Sequence, residues 1–137
     1  MRKIEARMIQ AVRHLANWPT FEGRYLKCDN TEVWQECEGI LHTPNFNRVI
    51  RVKLHGYTIA EFYPLTDRFC LDDAGWQTVT TKSRLNALLR AFSPGSGIHQ
   101  CKFEWYCDGE SWVGCKFFDV KISADNYILR QAEKLAG

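Results

Sequence analysis

A chain of 137 residues, 45% hydrophobic and 25% charged, has the length and balance of one globular domain and excludes a disordered or fibrous protein. No run reaches the roughly 18 apolar residues of a membrane span, and no apolar stretch follows the charged start Met1-Arg2-Lys3 as it would in an export signal. A soluble, cytoplasmic chain with no membrane partner is therefore expected, with eight Phe, five Trp and five Tyr to build its core.

Residues 2–17 place Ile4, Met8, Ala11, Val12 and Leu15 on one side of a helix, with Arg2, Lys3, Arg7, Arg13 and His14 on the opposite arc. Pro19 ends it. Residues 25–28 and 32–38 are expected as strands around an Asp29-Asn30 turn. Residues 49–54 alternate, with Ile50, Val52 and Leu54 opposite Arg51 and Lys53, as a half-buried strand does. His55-Gly56 turns the chain into a second strand at 57–63, which Pro64 stops. Short strands are expected at 68–71 and 76–79, around the turn Asp72-Asp73-Ala74-Gly75.

Thr80 or Thr81 is positioned to cap a central helix whose apolar stripe is Leu85, Leu88, Leu89 and Phe92. Ser93-Pro94-Gly95-Ser96-Gly97 breaks it. Residues 98–107 and 111–122 form a hairpin around Asp108-Gly109, with Cys101, Phe103, Trp105 and Cys107 on one face. Ser123 caps an expected third helix reaching about residue 135. The order gives a single α+β domain, mainly antiparallel, with N-terminal, central and C-terminal helices.

Two stretches are distinctive. One is Leu54-His55-Gly56, then Ile59-Ala60, then the segment from Gly75-Trp76-Gln77-Thr78 through Thr81-Lys82-Ser83-Arg84-Leu85-Asn86 to Leu89; the other is Trp105-Tyr106 followed by Phe118-Asp119. Together, over about residues 49–122, they resemble a group of small proteins of tailed bacteriophages and prophages that carry no assigned activity. The resemblance implies a viral protein acting in the host cytoplasm. It supplies no catalytic residue, and it favours the usual work of small phage accessory proteins, handling nucleic acid or blocking a host enzyme.

The net charge of +2 hides a split: residues 1–20 carry +3 and residues 80–93 carry +3. The start of the central helix, with Thr80, Thr81, Lys82 and Arg84, gathers hydroxyls and cations where free N–H groups and the helix dipole favour a phosphate. Arg2, Lys3, Arg7 and Arg13, with Arg90, extend the basic surface along which a nucleic-acid backbone is expected. The bland alternative is a capped helix with solvated cations, and the pI of about 8.2 lies below that of a dedicated DNA-binding domain. Trp105, Tyr106 and Trp112 offer either a partner interface or core; an interface would make the chain an inhibitor of a host protein.

Enzymatic signals are weak. There is no glycine-rich phosphate loop and no Gly-x-Ser-x-Gly elbow; Cys70 with His55 or His99 is not marked as an activated pair. Asp67, Asp72 and Asp73 read as turn formers rather than ligands of a divalent ion. The six cysteines lack the close spacing of a zinc knuckle, and without an export signal they read as reduced thiols. No cofactor and no metal are expected. A metal-stabilised structural protein is the third alternative.

Overall fold

The computed structural model describes residues 2–120. Its elements run α1 (Lys3–Ala16), β1 (Gly23–Cys28), β2 (Thr31–Glu38), β3 (Asn47–Leu54), β4 (Tyr57–Tyr63), β5 (Arg68–Asp72), α2 (Val79–Phe92), β6 (Ile98–Cys101), β7 (Glu104–Cys107), β8 (Glu110–Ser111) and β9 (Cys115–Asp119). The fold is α+β. Six strands form one antiparallel sheet in the order β1-β2-β3-β4-β5-β9, and β6-β7-β8 form a second, small sheet. Two helices lie among the described residues, against three expected; the helix anticipated from Ser123 onward falls outside them.

Alternation along the strands makes one sheet face apolar. Val33, Ile50, Val52, Ala60, Phe62, Phe69 and Leu71 are buried there against Met8, Val12 and Leu15 of α1 and Leu85, Leu88 and Phe92 of α2. Phe69 anchors this core, stacked between Phe62 at 4.9 Å and Phe118 at 5.3 Å. Rings packed this way add roughly 0.5–1.5 kcal/mol per pair beyond the area they bury. The opposite face, with Trp34, Arg51, Glu61 and Cys70, remains half-exposed. There Arg51 bridges Glu36 and Glu61, and Lys53 lies over the Trp34 ring at 4.7 Å.

Three expectations are corrected. Residues 76–79 do not form a strand, because the chain wraps around Asp73: its carboxylate accepts from the Gly75 N–H at 2.8 Å and from Gln77 at 3.1 Å. The cap of α2 is Thr78, whose hydroxyl accepts the Thr81 N–H at 3.1 Å, rather than Thr80 or Thr81. The expected long hairpin at 98–122 divides. Lys102 (φ 51) and Phe103 (φ 69) close a two-residue turn between β6 and β7, while Gly114 (φ 100) lets the chain leave the small sheet and join β5 as β9. Cys101, Phe103, Trp105 and Cys107 therefore do not share one strand face.

Candidate functional site

The two basic helices meet different fates, and one acid decides both. Glu5 falls three and four residues before Met8 and Ile9, so it lies on the buried stripe of α1 and is 1% exposed. Its carboxylate accepts from Arg84 at 2.9 Å and from the Ser83 hydroxyl at 2.5 Å. Arg84, itself 3% exposed, also donates to the Thr31 hydroxyl at 3.2 Å and to Asn30 at 3.4 Å. The pair ties α1, α2 and the β1–β2 turn together inside the fold. Of the expected phosphate site, Thr81 and Arg84 are thus internal, and only Thr80 and Lys82 reach the surface, each half-buried.

Withdrawal of Glu5 leaves α1 with no exposed acid. Lys3, Arg7, Gln10 and His14 form an exposed row at helical spacing, with Arg2 just before it. Arg13 turns aside, half-buried, with its guanidinium 5.6 Å from the centre of the Phe92 ring. Arg90 is exposed in the last turn of α2.

Beside this row lies a groove of about 400 Å³ lined by Arg7, Gln10, Ala11, His14, Tyr25 and Leu26. Its far wall depends on a β-bulge. Arg24 pairs with Trp34 and Leu26 with Val33, so Tyr25 is the extra residue on the edge strand β1. Bulges re-aim a side chain in this way. The Tyr25 ring stacks on His14, with centroids 5.2 Å apart and planes 11° from parallel. Trp18 closes the end of the cluster, edge-on to both rings at 5.7 and 6.5 Å. Arg7 donates to the Cys28 sulfur at 3.2 Å, which holds its guanidinium beside β1.

Buried polar groups fix the loop that carries Trp18. Arg48 donates to the carbonyls of Leu15 and Ala16, both at 2.9 Å, satisfying the C-terminus of α1 with a cation. Gln35 bonds Arg48 and, through its amide, the carbonyls of Trp18 and Phe21 at 2.7 Å. Neither role was visible from an alternating strand pattern, although a polar residue on the buried phase of a strand is a signal that something must satisfy it.

A second cleft, of about 390 Å³, opens at the start of α2. Leu54, His55 and Tyr57 line one side, and Ala74, Trp76 and Thr78 the other. Tyr57 and Trp76 are 54% and 56% exposed, with ring centres 6.3 Å apart. Both halves of the distinctive 54–89 segment therefore converge on one concavity.

The aromatic segment after α2 is mostly internal. Trp105 and Trp112 are 4% and 8% exposed, and the Trp112 indole N–H donates to Asp73 at 2.9 Å. These rings prop the small sheet against the Asp73 turn, and they are not offered to a partner as they stand. Tyr106 is half-buried, stacked on His99 at 5.7 Å and donating to Glu104 at 3.2 Å. The most exposed apolar residues here are Phe103, at 92%, and Val113, at 82%.

Burial pushes the Cys70 thiol up to about 11 and also raises Cys37 and Cys107, so these three hold their protons at neutral pH, the opposite of an activated nucleophile. Among the described residues, no three His, Cys, Asp or Glu side chains converge as a metal site requires. None of the described helices is long and apolar enough to cross a membrane.

Residues 1–126, spanning both basic helices and both sheets, match the family described as Kyanoviridae Gp96 protein. The chain belongs to that family. It is a phage protein, as the resemblance over about residues 49–122 implies. No curated protein and no solved structure matches this member of the Gp96 family.

Proposed function

We propose that this phage protein is a non-enzymatic accessory protein that binds nucleic-acid backbone along the exposed row of α1. The observation that carries the reading is that α1 turns Lys3 and Arg7 outward and its single acid inward. Lys3 and Arg7, with Arg2 preceding them, meet phosphates, while Lys82 and Arg90 lie outside that row. Displacing counterions from the nucleic acid makes such binding steeply salt-dependent. Fluorescence anisotropy with labelled oligonucleotides from 50 to 200 mM salt tests it, and a chain that binds none of them at the lowest salt contradicts the reading.

A second reading, inhibition of a host protein, is favoured by one observation. Phe103 stands almost fully exposed at a left-handed position of the β6–β7 turn, where Asn-Gly is the unstrained choice. An aromatic side chain held out against local preference suits insertion into a partner's apolar pocket. A complex recovered from host lysate after nuclease treatment, and lost on Phe103→Gly, supports this reading; a complex indifferent to that substitution counts against it. Both readings place the protein's work inside the host cell.

A further inference from the structure

Resting on the backbone-binding reading above, the groove between α1 and β1 defines the kind of nucleic acid. We infer that it selects single strands, taking one base against the His14–Tyr25 stack while Lys3 and Arg7 hold the neighbouring phosphates. Three features agree. Cations and rings lie in one line: Lys3 to Arg7 is four residues and Arg7 to His14 seven, about 6 and 10 Å along the helix axis. The stack remains accessible to solvent, since His14 is exposed, Tyr25 is 39% exposed and Trp18 is 41% exposed. The bulge that turns Tyr25 toward His14 builds this wall on an edge strand, so a strand of nucleic acid can run past it.

A positively charged track flanked by aromatic rings is the arrangement that binds single strands, because every unpaired base has a free face to stack. In a duplex those faces are already covered, and only the phosphates remain for α1. Nor is α1 placed to enter a major groove: it packs against β1, β2, β3 and α2, leaving one row open rather than a whole flank.

The test is anisotropy of the full chain with labelled oligothymidine and with a duplex of matching phosphate number, at 50 mM salt. Oligothymidine is expected to bind at least about tenfold more tightly, with Tyr25→Ala and His14→Ala each lowering that affinity roughly tenfold, the range of one base–aromatic stack. Duplex affinity should be unchanged in Tyr25→Ala, and Tyr25→Phe, which keeps the ring, should bind like the parent. Arg7→Gln should weaken both ligands. Equal affinity for the two ligands, or a Tyr25→Ala loss shared equally between them, overturns strand selection while leaving backbone binding in place. Binding to neither ligand overturns both. A thermal melt of each variant matching the parent confirms that the fold is unchanged.

Discussion

α1 and α2 are each 14 residues long and each lies in a segment of net charge +3, yet they use that charge in opposite ways. α1 exports Arg2, Lys3 and Arg7 and hides Glu5; α2 hides Arg84 and exports Lys82 and Arg90. The reason is phase. Glu5 falls with Met8, Ile9 and Val12, and Arg84 falls with Thr81, Leu85 and Leu88, so each points at the interface where the other can neutralise it. The charge of a helix and the charge of its surface are different quantities, and only the second can meet a partner.

The contrast breaks most severely at the buried pair. Glu5→Ala leaves the Arg84 guanidinium without its carboxylate and should lower unfolding stability by about 3–5 kcal/mol in a urea titration. Replacing both, as Glu5→Leu with Arg84→Met, should be milder than either single change, because no uncompensated charge remains. Arg48→Ala removes a charged donor from two helix-end carbonyls and from Gln35, and should be destabilising by roughly 2–3 kcal/mol by the same titration. Since that network also holds Trp18, single-strand affinity should fall with it. Thr78→Ala removes the cap of α2, a loss of about 1 kcal/mol that leaves nucleic-acid binding unchanged in anisotropy. The smallest effect is expected of Lys82→Gln: no measurable change in stability and less than about twofold in affinity, as befits one half-buried lysine outside the α1 row.

Much of the frame was legible beforehand. The apolar spacing of residues 2–17 and the alternation from Val49 to Leu54 placed α1 and β3 correctly, because a two-sided pattern has only one phase that buries its apolar half. The failures have two causes. Asp73 organises residues 73–77 through its carboxylate, the Lys102-Phe103 turn carries no glycine or asparagine to announce it, and β9 pairs with a strand far back in the chain. Only the last is decided by a contact between distant residues; the other two are local, set by a side-chain acceptor and by a left-handed turn that hydrophobic alternation does not register. The site was legible in part. The basic arc of α1 is evident in the sequence, whereas Arg84 reads there as a surface cation because its acidic partner lies 79 residues away. Tyr25 was missed as a site residue because a bulge, invisible in alternation, turns it toward His14.

The central claim is that α1 rather than α2 carries the nucleic-acid surface. The salt dependence of oligothymidine binding, compared between the parent, Lys3→Gln/Arg7→Gln and Lys82→Gln, tests it most directly. Losing two phosphate contacts should reduce the steepness of log affinity against log salt by about 1.4, at roughly 0.7 per contact on a single strand, while Lys82→Gln keeps the parental slope. An unchanged slope in the α1 variant, or the larger drop in Lys82→Gln, would contradict it.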